Sequence, residues 1–107
     1  MNDLQLLEYR NQLLLVYGGL LTEIQKKMME EYYQYNLSLS EISENYGISR
    51  AAVSDCLKKS EQKLEDYENK LHFLKKKKEL EKLLEKWKTQ SKEEILDELE
   101  RMMDDGI

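Results

Sequence analysis

The stretch Leu39-Ser-Glu-Ile-Ser-Glu-Asn-Tyr-Gly-Ile-Ser-Arg-Ala-Ala-Val-Ser-Asp-Cys-Leu-Lys58 decides how this chain folds. Ile42 and Tyr46 are four residues apart, so both fall on one face of a first short helix. Gly47 then permits the positive φ that a chain needs to reverse its direction within three residues. The hydroxyl of Ser49 can accept from the free N–H groups that open a second helix. A helix, a glycine corner and a capped helix together predict a helix-turn-helix over residues 38 to 65.

The second helix of this motif has one face for packing and another for a ligand. The residues on its packing face recur at spacings of three and four: Val53, Cys56, Leu57, Ser60 and Leu64. The candidate nucleic-acid-binding residues begin at its N-cap and lie between them: Ser49, Arg50, Ala51, Ser54, Asp55, Lys58 and Lys59. An ordinary corner between two helices of a small bundle has the same pattern and no ligand, and it stays open at this point.

Composition indicates an all-α protein. The 107 residues include no proline and four glycines, and 36% of them are charged. A chain of this length is expected to form a single all-helical domain, a small bundle with a modest core. Residues 66 to 107 should be a helical extension that contacts a second copy or another partner. The single cysteine, together with the lack of a signal peptide or membrane-spanning run, predicts a cytoplasmic protein.

The charge of the chain argues against a strong generic grip on DNA. The net charge is −5, whereas neutralisation of phosphates supplies most non-specific affinity. Between residues 39 and 66, four positive and six negative side chains leave −2. Weak or protein-directed recognition fits this balance better, although a dimer with two Arg50 and Lys58 clusters on one side would still bind nucleic acid.

Two helices are predicted before the motif. Residues 3 to 17 are apolar around most of a helix, which predicts burial on two sides and therefore a homodimer. Thr22 and Gln25 form a capping box that opens a second helix over residues 23 to 35. Its inward side chains should be Ile24, Met28, Met29, Tyr32 and Tyr33. Ser38 and Glu41 form a further capping box at the start of the motif.

One long helix is predicted after the corner, over about residues 50 to 87, because no glycine or proline interrupts it. It contains the basic run Lys75–Lys78, which touches RNA or DNA phosphates, lies over an acidic protein surface or is a solvated helix segment. Ser91 and Glu94 form a third capping box. The last helix that it opens should end near residues 104 to 106.

The residues give no sign of an enzyme. His72 is the single histidine, and no second histidine, cysteine or carboxylate lies at ligand spacing from it, so we expect no metal site. Ser54 and Ser60 have no histidine base nearby, and no glycine-rich phosphate loop is present. No catalytic residue and no cofactor is therefore assigned.

Several stretches together resemble the YlxM family of small bacterial proteins. They are Leu20-Leu-Thr22, Gln25, Tyr32-Tyr33, Leu37-Ser-Leu-Ser-Glu-Ile42, Ile48-Ser-Arg50, Ala52-Val53, Asp55 and Leu64-Glu-Asp-Tyr-Glu-Asn-Lys-Leu-His72. The resemblance implies an all-helical, dimeric, cytoplasmic protein whose helix-turn-helix looks like region 4 of sigma factors. It also implies a regulatory part in the signal recognition particle pathway, because the family's gene typically neighbours that of the particle's GTPase.

The second helix of the motif departs from the family pattern. Ala51, Ser54 and Cys56 stand where glutamine, tyrosine and asparagine are common, and Ser43 replaces the usual alanine. Base specificity therefore does not carry over. Arg50 and Asp55 match the pattern, and they can contact a guanine edge or phosphate and a cytosine amine, respectively.

Two functions remain open from the sequence. The first is a nucleic-acid-binding regulator that uses the motif against DNA or the RNA of the signal recognition particle. The second is a non-catalytic module that keeps the motif as a scaffold and docks on the signal recognition particle GTPase. The motif favours the first function and the acidic net charge favours the second.

Overall fold

The computed structural model describes residues 1 to 105, which form six α-helices. They are α1 (Asp3–Tyr17), α2 (Glu23–Tyr33), α3 (Leu39–Tyr46), α4 (Arg50–Leu71), α5 (Phe73–Trp87) and α6 (Lys92–Asp104), with a 3₁₀ turn at Gly18–Leu20. The all-α prediction is confirmed. Of the residues predicted to end the last helix, Gly106 lies outside the described part.

Local capping sets the first turns of most of these helices. Reciprocal capping boxes open α2 at Thr22 and Gln25 and α3 at Ser38 and Glu41, as predicted. A further box at Asn2, which the sequence analysis missed, opens α1. Ser91 accepts a hydrogen bond from the backbone N–H of Glu94 at the start of α6. Each cap satisfies N–H groups that have no partner inside the helix.

Residues 1 to 74 form one compact unit, in which α1, α2 and α3 pack against α4. The predicted packing face of α4 is confirmed at Val53, Leu57 and Leu64, which are all buried. Two expectations for the second helix were wrong. Ile24 is exposed, and the helix ends at Tyr33 rather than at residue 35. The core consists of Leu13, Leu14, Tyr17, Leu21, Met28, Met29, Tyr33, Ile42, Val53, Leu57, Leu64 and Leu74.

The corner between α3 and α4 follows the prediction. Gly47 has φ +64°, the left-handed conformation that glycine adopts without strain. The N–H of Ile48 donates to the carbonyl of Ser43, and that of Gly47 to the carbonyl of Glu44. This pair of bonds is a Schellman motif, which ends α3 and turns the chain toward α4.

The single long helix predicted over residues 50 to 87 was wrong, because α4 ends at Leu71 and α5 begins at Phe73. His72 between them is left-handed, with φ +56°. The backbone N–H of Phe73 donates to the Tyr17 hydroxyl at 3.1 Å, and that of Leu74 to Glu68 Oε1 at 3.0 Å. A side chain of another helix, Tyr17, and the side chain of Glu68 thus satisfy the N–H groups that a continuous helix would pair with its own backbone.

A second compact unit begins at Lys75 and contains the remainder of α5 together with α6. Glu98 of α6 accepts from the indole Nε1–H of Trp87 at 2.7 Å and pairs with Lys86 Nζ at 3.1 Å. These bonds to Trp87 and Lys86 lower the pKa of the Glu98 carboxyl. Trp87 is therefore an anchor between α5 and α6. That residues 1 to 107 form a single domain stays a prediction.

Candidate nucleic-acid interface

The start of α4 presents a set of exposed polar side chains. The buried residues Val53, Leu57 and Ser60 hold one side of the helix against the core. On the other side, Ser54 is half-buried. The remaining candidate residues are exposed: Ser49, Arg50, Ala51, Asp55, Lys58 and Lys59. All seven therefore lie at the N-cap or within the first three turns of one helix, and their role in binding stays a prediction.

Two faces can be distinguished within this set. Arg50, Ser54 and Lys58 follow one another at intervals of four, so they form a row along α4. Asp55 and Lys59 lie beside that row and are joined by an exposed ion pair of 3.0 Å. An exposed pair of this kind contributes only about 0.3–0.5 kcal/mol to stability. It nevertheless places a carboxylate against Lys59. Among the candidate residues, Arg50 and Lys58 are therefore the cations whose positive charge is least neutralised.

The N-terminus of α4 differs from those of four other helices. The first turns of α1, α2, α3 and α6 each contain an acidic residue, whereas that of α4 contains none. The Ser49 hydroxyl accepts from the N–H of Ala52 at 3.0 Å. The N–H groups of Arg50 and Ala51 have no partner inside the helix, and the helix dipole adds partial positive charge at this end. A phosphate meets no carboxylate in this turn.

Lys58 also borders a cleft of about 250 Å³ between α1 and α4, which contains Arg10 and Glu61. Arg10 pairs with Glu61 at 3.5 Å and donates to the Tyr33 hydroxyl at 3.0 Å. The Tyr33 hydroxyl in turn donates a hydrogen bond to Glu61. Because these three side chains come from α1, α2 and α4, their bonds fix α4 against the two helices behind it.

The bond between Tyr33 and Glu61 belongs to a group of four tyrosine–glutamate pairs in the described residues. The others are Tyr9 with Glu65 at 3.1 Å, Tyr17 with Glu68, and Tyr46 with Glu31 at 2.7 Å. Three of the glutamates are on α4, and the fourth pair joins α3 to α2. These pairs hold the motif in place behind its exposed face.

The environment of each pair changes the acidity of its tyrosine. Burial, followed by the neighbouring carboxylate, raises the pKa of Tyr9 to about 12 and that of Tyr46 to about 12. The same causes raise the pKa of Tyr17 and of Tyr33. A tyrosinate would face a carboxylate in a site with little water, so the neutral phenol is favoured.

The sequence analysis did not find these pairs, because the partners are 15 to 56 residues apart. The one available signal was composition, since seven tyrosines occur in 107 residues. Their hydroxyl groups need partners when they are buried, but spacing along one helix does not identify a partner on another.

The profile of one protein family matches residues 5–104, almost the whole chain. The family is UPF0122, described as "Putative helix-turn-helix protein, YlxM / p13 like". The chain belongs to this family. The resemblance to YlxM proteins that was read from the sequence is thereby confirmed, and it extends beyond residue 75 into the two last helices.

Relatives of this UPF0122 chain occur in several bacteria. A UPF0122 protein of Desulforamulus reducens is 52% identical over 60 residues, which are 56% of this chain and 51% of that protein. The UPF0122 protein TTE1463 of Caldanaerobacter subterraneus subsp. tengcongensis is 50% identical over 72 residues, 67% of this chain and 62% of the relative. The matches thus span between about half and less than two thirds of these relatives' lengths.

Two features are absent from residues 1 to 105 of this UPF0122 chain, the part that the structure describes. No group of three or more histidine, cysteine, aspartate or glutamate side chains is placed there to hold a metal ion. None of the helices in that part has both the length and the apolar character needed to cross a bilayer.

Proposed function

We propose that this protein is a non-catalytic, cytoplasmic regulator that binds nucleic acid through the exposed face of α4. The observation that carries the proposal is the row formed by Arg50, Ser54 and Lys58 on a helix whose opposite side is buried. Membership of a helix-turn-helix family supports it. In proteins with this motif, the second helix lies in the major groove and its first residues contact base edges.

The residues of the row suit different parts of a nucleic acid. Arg50, in the first turn of α4, has the fork of donors that reads a guanine edge or grips a phosphate. Lys58, two turns later, is a point charge suited to a phosphate. Ala51 has no polar group, and Asp55 repels phosphate, so base readout should rest mainly on Arg50.

Groove geometry links the type of nucleic acid to the way in which α4 binds it. The major groove of B-form DNA admits an α-helix, whereas that of A-form RNA is too deep and narrow. If α4 enters a groove, the ligand is DNA. If the ligand is the RNA of the signal recognition particle, as the family resemblance implies, α4 must contact phosphates or unpaired bases.

We further propose that the protein acts as a homodimer through α1. Leu4 and Leu15 of this helix are 73% and 72% exposed, and they line an apolar groove of about 480 Å³ together with Leu7. Exposed leucines around an apolar groove are typical of an interface. Two copies would provide two rows of Arg50 and Lys58, and the second row would compensate for the low positive charge of one copy.

Sedimentation of the wild type and of Leu4→Lys/Leu15→Lys tests the dimer. A monomeric wild type would overturn this proposal.

The binding proposal can be tested by fluorescence anisotropy with duplex DNA and signal recognition particle RNA over a range of salt concentrations. Each lost phosphate contact lowers the slope of log K against log salt by about 0.9 for duplex DNA. Arg50→Ala and Lys58→Ala should each produce such a change. Lys27→Ala, which removes an exposed lysine of α2, is the control and should leave the slope unchanged. Absence of binding to both ligands at low salt would overturn the proposal.

A second candidate function is docking on the signal recognition particle GTPase. The net charge of −5 and the pairing of Lys59 with Asp55 favour a protein partner over phosphates. This function predicts a complex that survives nuclease treatment and changes the rate of GTP hydrolysis. An unchanged rate at saturating protein would count against it.

A further inference from the structure

The second compact unit has two helices with apolar side chains but no core. No residue from 75 to 105 is buried, whereas every residue of the hydrophobic core lies between Leu13 and Leu74. Four large apolar side chains of the unit are exposed by 42 to 70%: Leu80, Leu84, Leu96 and Met103. Two amphipathic helices this short cannot cover their apolar side chains by themselves. A partner for these side chains is therefore missing.

The exposed apolar side chains lie on one face of the unit. Residues 88 to 91 join α5 to α6, and a link of this length is typical of antiparallel neighbours. Half-buried apolar residues mark the sides on which the two helices meet: Leu83, Trp87, Ile95, Leu99 and Met102. At about 100° per residue, the exposed residues of each helix are displaced from these residues in the same rotational sense. In antiparallel helices, that places both sets on the same face.

We call residues 75 to 105 the C-terminal hairpin and the four exposed side chains its open face. The two helices of the hairpin carry opposite charge. α5 contains six lysines and three glutamates, a net charge of +3, whereas α6 contains two cations and six carboxylates, a net charge of −4. Lys86 and Glu98 join the helices by an ion pair of 3.1 Å. Other charged residues form no ion pair within residues 1 to 105, among them Lys76, Lys77, Glu100 and Asp104.

This distribution of charge selects the partner of the open face. The hairpin has a net charge of −1 over residues 75 to 105, and a polyanion or an anionic bilayer on the open face would meet the acidic α6. A protein surface of one sign would be attracted by one helix and repelled by the other. A second copy of the hairpin has one helix of each sign, so α5 of each copy can lie against α6 of the other.

Two-fold symmetry allows this pairing in one of two arrangements. In a two-fold contact, each copy uses the same surface. If the symmetry axis crosses the helices at a right angle, α5 lies opposite α5 and like charges meet. If the axis runs parallel to the helices, α5 lies opposite α6 of the other copy and two contacts of unlike charge form. The net charges of α5 and α6 therefore favour the parallel axis.

We propose that the open face of the C-terminal hairpin binds the same face of a second copy. The two hairpins form a four-helix bundle in which α5 of each copy lies against α6 of the other. The exposed apolar side chains of both copies supply its core. The inference goes beyond the proposed function, and no residue of α1 takes part in this contact.

Sedimentation equilibrium of the full chain tests the inference in the Leu4→Lys/Leu15→Lys background, in which the α1 groove no longer contributes. This background chain should still dimerise. Two variants of it reverse charges near the open end of the hairpin: Lys76→Glu/Lys77→Glu in α5 and Glu100→Lys/Asp104→Lys in α6. Both changes suit the dipoles of their helices, so circular dichroism should show that the helices are retained.

Each variant alone should dimerise less well than the background chain. Its Kd should rise on the order of tenfold, because four charge pairs between the copies change from attraction to repulsion. An equimolar mixture of the two variants should regain the affinity of the background chain, since a reversed α5 then meets a reversed α6. Like charges still oppose each other within each chain of the mixture, so the recovery can come only from pairing between copies.

The matched control is Lys78→Glu/Lys82→Glu, which makes the same change of charge on the side of α5 opposite Leu80 and Leu84. It should dimerise as the background chain does. The inference is overturned if the background chain is monomeric at about 1 mM, if the control loses as much affinity as the α5 variant, or if the mixture does not recover. A monomeric background chain would leave the open face to a different partner.

The same reversals in the otherwise wild-type chain separate this contact from the one proposed for α1. If Leu4→Lys/Leu15→Lys alone abolishes association, the α1 contact stands and the inference fails. If the charge reversals abolish association while Leu4→Lys/Leu15→Lys does not, the inference stands and the α1 contact fails. A wild type that is monomeric overturns both.

Discussion

The two ends of α4 turn the chain in the same way but for different reasons. Gly47 before the helix and His72 after it are both left-handed, with φ +64° and +56°. At the first corner, a glycine and a Schellman motif make the turn from neighbouring residues. At the second, a residue with a Cβ atom adopts the same conformation because Tyr17 and Glu68 bind the N–H groups that follow. One corner is encoded locally and the other depends on the packed fold.

The difference has a consequence for the candidate interface. The local corner places the start of α4 on the surface of the first compact unit, where Arg50 and Lys58 are exposed. The tertiary corner ends α4 and starts α5. Loss of tertiary packing should therefore disrupt the second corner before the first.

High pH should break the tyrosine–glutamate hydrogen bonds between helices and so lower the free energy of unfolding. A tyrosine ionises near pH 10 when it is exposed, whereas the pKa of Tyr9 and of Tyr46 is raised to about 12 in the folded chain. Between these values the unfolded chain has lost the proton and the folded chain still binds it, so the free energy of unfolding falls as pH rises. The contribution of the tyrosines should be constant below about pH 10.

Urea unfolding at a series of pH values from neutral to alkaline measures this effect. The four tyrosine–glutamate pairs should act together, so the alkaline loss should be larger than that of any single substitution below. Tyr46→Phe should reduce the loss, and Tyr35→Phe, which removes an exposed phenol, should not. A free energy of unfolding that stays constant from pH 9 to 12 would contradict the role of the pairs.

Glu68→Ala should be the most damaging single substitution at the second corner. It removes the acceptor for the Tyr17 hydroxyl and the Leu74 N–H in a buried site. Leaving such groups without partners costs about 3 kcal/mol in total. Urea unfolding measures the loss, and Asn69→Ala at the adjacent exposed position is the control. A loss as small as that of the control would show that the corner does not depend on Glu68.

Gly47→Ala tests the local corner. The added Cβ atom would meet no other atom within 4 Å, so the cost comes from the backbone conformation alone. We expect a loss of about 1 kcal/mol after allowance for the lower entropy of the unfolded chain. Thermal and urea unfolding measure it. An unchanged free energy of unfolding would mean that the corner tolerates a Cβ atom, as the second corner does.

His72→Gly is the matched substitution at the other corner and should have the smallest effect. Relief of the left-handed strain is largely offset by the greater freedom of glycine in the unfolded chain. The free energy of unfolding should therefore rise by about 0.5 kcal/mol at most. A loss of stability would instead indicate that the His72 side chain contributes to the corner.

The same contrast explains which features were predictable from the sequence. The boundaries at Thr22, Ser38 and Gly47 depend on residues that lie within five positions of one another, and all three were predicted. The break at His72 was missed because its causes are Tyr17, in another helix, and the buried carboxylate of Glu68. Within a helical pattern, neither residue signals the end of a helix.

The candidate site shows the same limit. The exposed residues of α4 could be named because their positions follow from the buried face of a single helix. The pairs of Tyr33 with Glu61 and Tyr9 with Glu65 could not be named, since each depends on how two helices meet. The exposure of Ile24 was missed for this reason too, because an apolar residue at helical spacing still needs a neighbour to cover it.

Amide NMR of the full chain can detect, residue by residue, whether the row on α4 contacts nucleic acid. Spectra recorded with increasing amounts of duplex DNA or signal recognition particle RNA should show shifts at Arg50, Ala51, Ser54 and Lys58. The amides of the buried α4 residues Leu57 and Leu64 should move much less. Unchanged signals from residues 49 to 59 at concentrations where nucleic acid is bound would contradict the account.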